Sequence, residues 1–429
     1  MTATASAPAG DRHLSIDAVR GFAVLGILLM NIVGMGLPSF AYLLPTFAGG
    51  AEGADLWTWA VNNVFTDGKM RALFTLLFGA SAILIADRAE RGGGLSPAQT
   101  HYRRMFWLIV FGLLHAVLFW YGDILVTYAV AGLVIFPFRK LNPRSQIAIG
   151  AAILLALLAK NVWQAGEIEA LHAAATAPGA SAEVIAAWRE ASTFVTPAPD
   201  AAAGELAGFG GGFLDAVRAR LELLKLFYGY FLPFDAIPEA IGQMFVGMAL
   251  FRLGFFTLGW SSRAYAAAIA FGYLVCAPFT AWLAWLIWQS GFDPIRLHEL
   301  QVWQQTTRPF IALAHAAVLL LVIRAGLLGG LVALLAAAGR MAFSNYLMSS
   351  IITAAVFGGW GLGLFGELSR AELLWVVAGV WAFILAWSRP WLARFHYGPF
   401  EWAWRSLVLG RPQPFLKAGP NASPAAAAE

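Results

Sequence analysis

Residues 15–36 read SIDAVRGFAVLGILLMNIVGMG, an apolar run whose only charged or amide side chains are Asp17, Arg20 and Asn31. A helix of this length rises about 33 Å at 1.5 Å per residue, which is enough to cross the hydrocarbon core of a bilayer. No small-residue cleavage pattern follows the run. We therefore interpret it as an uncleaved first membrane helix and not as a signal peptide.

The whole chain has the composition of a membrane protein. Of its 429 residues, 60% are hydrophobic and 12% are charged, about half the charged share of an ordinary soluble domain. So few polar groups cannot cover so much apolar surface, and we exclude a soluble enzyme, a disordered protein and a nucleic-acid-binding module. The net charge of +4 is not gathered in a basic stripe, and the single cysteine, Cys276, cannot form an internal disulfide.

Ten apolar runs are long enough to be membrane helices, and no alternating strand pattern occurs. The sequence therefore predicts an all-α polytopic membrane protein, a helical bundle of about ten transmembrane helices. The predicted spans are residues 17–37, 70–87, 104–121, 123–138, 145–162, 236–252, 264–289, 308–324, 339–358 and 371–388.

Most Lys and Arg residues of the short loops lie on the side that holds the N-terminus. This bias predicts a multi-pass protein of the plasma (inner) membrane with both termini cytoplasmic. The predicted parts of the chain are an N-terminal membrane bundle at 1–160, an Ala-rich acidic extracytoplasmic loop at 161–225, a C-terminal membrane bundle at 226–411 and a disordered tail at 412–429.

The loop at 161–225 contains two segments with helical patterns. Residues 181–191 follow Ser181 as an N-cap, and residues 213–231 have the pattern of an amphipathic helix. We expect the loop either to cap the outer face of the bundle or to be a tolerated insertion.

Polar side chains inside apolar spans are costly and usually face a protein interior. Asp17 and Arg20 are three residues apart, so they share one helix face and can form an ion pair. Arg20, Arg103, Arg104 and Arg340 would together give a basic inner mouth. The alternative for Asp17 and Arg20 is a helix cap with a positive membrane anchor, and Asn31 could simply bond a neighbouring helix.

The second cluster is TDGKMRALF at residues 66–74, at the outer end of the second span. Lys69 and Arg71 break the charge bias on that side. They would either present positive charge to an anionic or hydroxylated substrate or serve as snorkelling anchors.

The third cluster, GLLHAVLFWYGDIL at residues 112–125, places His115 in the middle of the third span, near the bilayer centre. A histidine titrates near neutral pH and can act as a general base. Asp123 would orient that base or contact substrate. The alternatives are a helix contact for His115 and an N-cap for Asp123.

The last cluster is C-terminal and comprises GRMAFSNY at residues 339–346 and HYGPFEWAWR at residues 396–405. Glu401 and Arg405 have the spacing of a helical ion pair. His315, in the eighth span, fits a structural role. No Cys/His spacing indicates a metal site, and no phosphate-binding loop, dinucleotide fingerprint or serine nucleophile motif occurs.

Together these clusters resemble the YeiB-like family, known as domain of unknown function 418. That family is similar to the transmembrane acyltransferase superfamily, which includes heparan-alpha-glucosaminide N-acetyltransferase, chiefly in the Asp-x-x-Arg-Gly opening formed by Asp17, Arg20 and Gly21. The resemblance implies a helical bundle that takes an acyl group from cytoplasmic acyl-CoA and passes it to an acceptor, with a membrane-embedded histidine. His115 is the residue whose position fits that role.

We therefore predict an acyl-CoA-dependent membrane acyltransferase whose acceptor is a sugar hydroxyl or amine. Acetyl-CoA is the expected donor, no metal is expected, and the partners are the bilayer and the small-molecule acyl donor and acceptor. No nucleic acid is expected, and a homodimer is allowed. The alternatives are a proton-coupled transporter of a small polar or anionic solute and a non-catalytic scaffold. The predicted roles are catalysis for His115, Asp123 and Asn31, substrate binding for Lys69, Arg71 and Asp17, and CoA binding for Arg20, Arg103, Arg104 and Arg340.

Overall fold

The computed structural model describes residues 9–92, 94–193, 195–196 and 200–417. Within them the chain is helical, and its β contact is an isolated bridge between Phe395 and Leu416, so the predicted all-α class is confirmed. The α-helices are α1 (Ala9–Gly36), α2 (Gly53–Phe65), α3 (Lys69–Arg91), α4 (Pro97–Leu118), α5 (Leu125–Ile135), α6 (Pro143–Thr176), α7 (Ala182–Ser192), α8 (Ala201–Gly210), α9 (Phe213–Leu226), α10 (Ile237–Arg252), α11 (Ser262–Ala270), α12 (Ala277–Gln289), α13 (Pro294–Gln304), α14 (Arg308–Arg324), α15 (Gly329–Arg340), α16 (Ala342–Phe357), α17 (Leu373–Arg394) and α18 (Pro399–Leu409).

Seven helical segments of the described chain are long and apolar enough to cross a membrane, which confirms a polytopic membrane protein. An eighth arises if α15 and α16, which are bent by 83° at their junction, form one broken span. The seven segments are Leu14–Gly36, Gly53–Arg91, Pro143–Thr176, Phe213–Arg252, Ser262–Gln289, Pro294–Arg324 and Leu373–Arg394.

Each of the ten predicted spans coincides with helix, and seven of them fall on those seven segments. The span predicted at 339–358 falls on the bent α15–α16 pair, and those at 104–121 and 123–138 fall on α4 and α5. Helix α5 has 11 residues, or about 16 Å of rise. It passes into a 3₁₀ turn, Phe136–Lys140, that contains Pro137. Because proline lacks a backbone N–H group, an α-helical span ends there.

Two glycines bring the backbones of α1 and α15 into direct contact. A Cβ atom at Gly21 would overlap the carbonyl oxygen of Leu335, and one at Gly339 would overlap the carbonyl oxygen of Asp17. Small residues permit this close approach of membrane helices. The crossing fixes α15, and with it the bend that leads into α16, against the Asp17 end of α1.

A similar crossing joins α3 to α10. A Cβ atom at Gly79 would overlap the carbonyl oxygen of Met244, and one at Gly247 would overlap that of Leu76. These two helices carry many of the ionisable side chains of the bundle interior. The close contact therefore sets the distance between charged groups as well as the packing.

The segment predicted as a long loop is mostly helical. Helix α6 continues to Thr176, and α7 follows Ser181, whose hydroxyl accepts the backbone N–H of Val184 at 3.3 Å, as the N-cap prediction requires. The predicted helix at 213–231 is present as α9, which passes into a π-helical stretch, Phe227–Ala236.

Helix α8 is docked on the bundle. The carboxylate of Glu205 accepts hydrogen bonds from the backbone N–H and the hydroxyl of Ser39 at 2.7 and 2.6 Å. The carbonyl of Phe209 accepts the N–H of Gly359 at 2.8 Å. The segment thus covers the end of the bundle where α1 ends.

This docking is expected to depend on pH through Glu205. Burial raises the pKa of Glu205 above its ordinary value of about 4.5, although the hydrogen bonds from Ser39 act in the opposite direction. A raised carboxyl pKa in the folded state gives stability that is present at low pH and is lost as the pH rises through the raised value. We expect the melting temperature of the wild type, relative to Glu205→Gln, to fall as the pH rises above about 4.5.

The matched control is Glu222→Gln, because Glu222 is exposed on α9 and pairs with Lys225. A wild-type-minus-E205Q difference that stays constant across this pH range would contradict the assignment.

The beginning of the predicted disordered tail is ordered. The N–H of His396 donates to the carbonyl of Phe415, and the N–H of Lys417 donates to that of Arg394, both at 2.9 Å. The prediction of disorder is therefore wrong for residues 412–417, because paired backbone groups hold them against the end of α17. Residues 418–429 lie outside the described residues.

Candidate functional site

His115 lies in the last turn of α4 and not in the middle of a span. The helix begins at Pro97, seven residues before the predicted span, because Ser96 and Gln99 form a reciprocal capping box there. It ends at Leu118, where the chain turns through Trp120 and Gly122 towards α5. His115 lies on a helix, as the sequence predicts, but in the last turn of that helix and not in its middle.

His115 and Asp123 form a buried pair across this turn. The Nδ1 atom of His115 lies 2.7 Å from Oδ1 of Asp123, and the two side chains are 1% and 0% exposed. The second carboxylate oxygen, Oδ2, accepts the backbone N–H of Val126 at 2.9 Å. Asp123 precedes the N-cap residue of α5, Ile124, and accepts a backbone N–H of the first turn of that helix while it also contacts the histidine.

The other ring nitrogen of His115, Nε2, is buried and has no hydrogen-bond partner among the described residues. An ionised carboxylate can only accept, so in the neutral form of the histidine Nδ1 carries the proton and Nε2 carries the lone pair. A buried nitrogen lone pair costs free energy unless something uses it. This arrangement, in which a carboxylate fixes the tautomer of a histidine, is the one that prepares a general base.

Helix α16 supplies the wall beside this pair. The ring of Tyr346 lies 5.1 Å from the ring of His115, and its hydroxyl oxygen accepts the N–H of Ile124 at 3.3 Å. Tyr346 belongs to the last of the sequence clusters, but no role was predicted for it.

Glu401 caps the beginning of α16. The prediction of an ion pair between Glu401 and Arg405 is wrong for the described chain. One carboxylate oxygen accepts the backbone N–H groups of Phe343 and Ser344 at 2.8 and 3.0 Å, and the other accepts the hydroxyl of Ser344. The start of a helix has unpaired N–H groups and a positive dipole end, which attract a carboxylate more strongly than an exposed arginine does. Arg405 instead lies over the ring of Tyr397.

A pocket adjoins residues 119–122, the turn after His115 that we call the His115 turn; the space between its walls, including the part open to solvent, is about 370 Å³. Asn31 lies one helical turn before the pocket residues Gly34 and Met35, on the same face of α1. The pocket is lined by Gly34, Met35, Phe119, Trp120, Tyr121, Phe209, Arg220, Thr353, Ala354, Phe357, Gly358 and Phe365. Its walls therefore come from α1, the His115 turn, the docked α8–α9 segment and α16.

A basic cluster lies at the opposite end of α4. The guanidinium of Arg104 stacks on the ring of Trp404 at 3.9 Å, and Arg20 and Arg405 are close enough to repel its charge. Arg20 forms the predicted ion pair with Asp17 at 2.9 Å. The Nε atom of Arg104 is buried without a hydrogen-bond partner among the described residues.

Arg103 and Arg340 are exposed at this same end of the bundle. Arg103 donates to the carbonyl of Val408 at 3.2 Å. Arg340 follows Gly339, whose backbone touches that of Asp17. The structure therefore brings the four predicted CoA-binding arginines to one end of the bundle, with two inside the cluster and two at its surface.

Lys69 and Arg71 point inward and are held by protein partners. Lys69 is 1% exposed and donates to the carbonyl of Asn63. Arg71 pairs with Glu239 at 2.9 Å, and Arg308 reaches the same carboxylate at 3.5 Å. These residues lie in an internal charge network, and their role in substrate binding stays a prediction.

Several polar residues of the interior were missed by the sequence interpretation. Glu239 and Arg308 lie within apolar helices, and the rule applied to Asp17 and His115 would have found them. Arg220 was assigned to a loop and so was not considered as buried. His315, expected to be structural, is held by the hydroxyl of Tyr273 at 2.5 Å and the carbonyl of Phe65 at 2.8 Å.

Among the residues that the structure describes, no group of three or more His, Cys, Asp or Glu side chains could hold a metal ion. That the activity needs no metal stays a prediction.

Comparison with known proteins finds similar proteins that align with nearly the whole chain. The profile of the family described as "Protein of unknown function (DUF418)" matches residues 250–411. The "Uncharacterized protein YeiB" of Escherichia coli (strain K12) is 32% identical over 406 residues, which cover 93% of this chain and 97% of the relative. The "Uncharacterized protein YxaH" of Bacillus subtilis (strain 168) is 27% identical over 422 residues, with 94% and 95% covered. No solved structure matches the chain.

Proposed function

The chain belongs to the YeiB-like family of DUF418 proteins, and we propose that it is a membrane acyltransferase. It moves an acyl group from acyl-CoA, with acetyl-CoA as the expected donor, to the hydroxyl or amine of an acceptor. The observation that carries the proposal is the buried His115–Asp123 pair, in which Nε2 of His115 has no hydrogen-bond partner among the described residues. Residues 119–121, which follow the histidine, line a pocket.

The proposed chemistry uses the neutral form of His115, with its proton on Nδ1. Nε2 of His115 takes the proton of the acceptor's O–H or N–H group as the nucleophile forms a bond to the thioester carbonyl carbon. The C–S bond then breaks, and the CoA sulfur leaves with the proton that His115 returns. Asp123 keeps Nδ1 protonated and stabilises the imidazolium that forms in between. Asn31, on the pocket side of α1, is proposed to donate to the oxyanion.

The donor would bind along α4. Arg104 and His115 are 11 residues apart, which is three helical turns, so they share one face about 16 Å apart. Leu108 and Phe111 lie between them on that face, and the ring of Phe111 meets the ring of Phe343 of α16 at 5.3 Å. CoA phosphates held by Arg104 and Arg20 would let the pantetheine arm follow this apolar seam to His115.

The localisation follows from the same assignment. A cytoplasmic acyl-CoA requires the Arg104 end to face the cytoplasm, which agrees with termini on the cytoplasmic side of the plasma membrane. The acceptor would then enter from the other side, through the pocket. The bilayer and the two small molecules are the proposed partners.

Arg104→Ala is expected to weaken acetyl-CoA binding. A charge-assisted hydrogen bond contributes about 1.5–3 kcal/mol, so we expect the Kd to rise by roughly 10-fold or more. Arg20→Ala is expected to act in the same direction. Titration calorimetry with the purified full-length protein measures both.

Arg263→Ala is the matched control for this prediction, because Arg263 is exposed and lies outside the cluster. Equal Kd values for Arg104→Ala, Arg263→Ala and the wild type would remove the proposed CoA-binding role.

A second candidate function is proton-coupled transport of a small polar or anionic solute. It is favoured by the Arg71–Glu239–Arg308 network, which lies next to the interruption of the Gly53–Arg91 segment at residues 66–68. Buried ion pairs beside helix breaks are typical of transport pathways. A proton flux in liposomes that needs no CoA and is lost in Glu239→Gln would support this function over acyl transfer.

A further inference from the structure

Arg220 of α9 is a buried cation without an anionic partner in the described chain. Arg220 is 3% exposed. Its Nη1 atom donates to the carbonyls of Val117 and Leu118 at 2.9 and 2.7 Å. No carboxylate among the described residues lies within ion-pair distance of it. Buried arginines are almost always paired with an acid, because removing a charge from water is costly.

The two carbonyl bonds use only part of the guanidinium. Arginine has five N–H donors in a planar fork, and within the described chain the hydrogen bonds of Arg220 are made by Nη1 alone. A capping interaction with the end of α4 thus leaves Nε and Nη2 for another acceptor. The fork matches the two oxygens of a carboxylate, phosphate or sulfate group.

Arg220 also lines the pocket beside the His115 turn, together with Trp120. The indole N–H of Trp120 is buried and has no acceptor among the described residues. The carboxylates of this region are already occupied, Asp123 by His115 and Val126, and Glu205 by Ser39. The described pocket wall is therefore rich in hydrogen-bond donors and lacks a free negative charge.

The position of the cation relative to the base is fixed by α4. Val117 and Leu118 follow His115 by two and three residues, or about 3–5 Å along the helix axis. The guanidinium is thus anchored to the last turn of α4, the turn that also carries the histidine.

We propose that Arg220 binds an oxyanion carried by the acceptor and so selects acidic acceptors over neutral ones. The inference rests on the proposed acyl transfer and names the class of acceptor. The oxyanion is a carboxylate, phosphate or sulfate, on a soluble molecule or on a lipid headgroup. Arg220 orients the acceptor, and His115 removes the proton of its hydroxyl or amine.

The test compares acceptors that share a nucleophile and differ in charge. Glucosamine and glucosamine 6-phosphate form the soluble pair, and monogalactosyl diacylglycerol and phosphatidylglycerol in nanodiscs form the lipid pair. Radiolabelled acetyl-CoA is the donor, and kcat/KM is measured for each. We expect the anionic member of one pair to be preferred by roughly 10-fold or more, the value of one charge-assisted hydrogen bond, and which pair shows it identifies the source.

The variants separate recognition from folding. Arg220→Gln is expected to abolish the preference, and Arg220→Lys to keep part of it, because lysine retains the charge without the fork. Arg218→Gln is the matched control, since Arg218 is exposed on the same helix and pairs with Asp215. Loss of the α4 contact alone would lower both rates and leave their ratio unchanged.

Equal rates for the members of both pairs, or a ratio unchanged in folded Arg220→Lys and Arg220→Gln, would overturn the inference. If no acceptor is acetylated, the same pairs are compared by binding, with equilibrium dialysis for the sugars and thermal shift for the lipids. Preferential binding of an anionic member that Arg220→Gln removes would then support the oxyanion site independently of acyl transfer. Absence of any preference in binding would overturn the oxyanion site itself.

Discussion

His115→Gln is expected to lower kcat for acetyl transfer by about 10²–10⁴-fold, the usual contribution of a general base. Glutamine can still donate a hydrogen bond to Asp123, so the buried carboxylate keeps a partner. It has no basic nitrogen at the position of Nε2, so it cannot accept the proton of the acceptor. The affinity for acetyl-CoA is expected to stay close to that of the wild type, because the Arg104 cluster lies three helical turns away.

The matched control for this variant is His315→Gln. His315 is also buried in a helix, but both of its ring nitrogens are held by protein groups. We expect it to lose stability and to keep its transfer rate per folded molecule. Wild-type transfer by folded His115→Gln would exclude His115 as the base.

Gly339→Leu is expected to prevent the bundle from assembling around α1 and α15. A Cβ atom at this position already overlaps the carbonyl oxygen of Asp17, so the backbones must separate before any side chain fits. Overpacked cores lose about 1–3 kcal/mol when side chains can adjust. Here the obstacle is backbone, and we expect a larger loss, seen as aggregated or degraded protein in size-exclusion chromatography after detergent extraction.

Gly379→Leu tests the same substitution where there is room. Gly379 lies in α17, and nothing in the described chain lies within 4 Å of a Cβ atom built there. A surface change of this kind usually alters stability by less than about 0.5 kcal/mol. Similar yields and melting temperatures for the two leucine variants would show that the α1–α15 crossing is not close.

The spans could be predicted from the sequence because apolar runs of about 20 residues have few other uses. Breaks inside those runs were harder to foresee. The bend between α15 and α16 depends on Glu401, which lies 58 residues after Phe343 and caps α16 from another helix. The sequence near the start of α16 does not indicate a capping residue so far along the chain.

The candidate site was predicted in its parts and not in its arrangement. His115 and Asp123 were found because polar groups are rare in apolar helices. Their contact depends on the tight turn through Trp120 and Gly122. Helix α4 ends before this turn, so His115 lies in the last turn of the helix. Arg220 could not be found by that rule, because its burial results from docking of a segment that composition alone assigns to a loop.

Acetyl-CoA binding by the purified full-length protein tests the proposed function most directly. Titration calorimetry is expected to give a Kd in the micromolar range for acetyl-CoA, weakened in Arg104→Ala and unchanged in His115→Gln. Absence of binding to acetyl-CoA and to longer acyl-CoAs, with protein shown to be folded and monodisperse, would contradict acyl transfer. A proton flux without CoA in liposomes would then make transport the function to pursue.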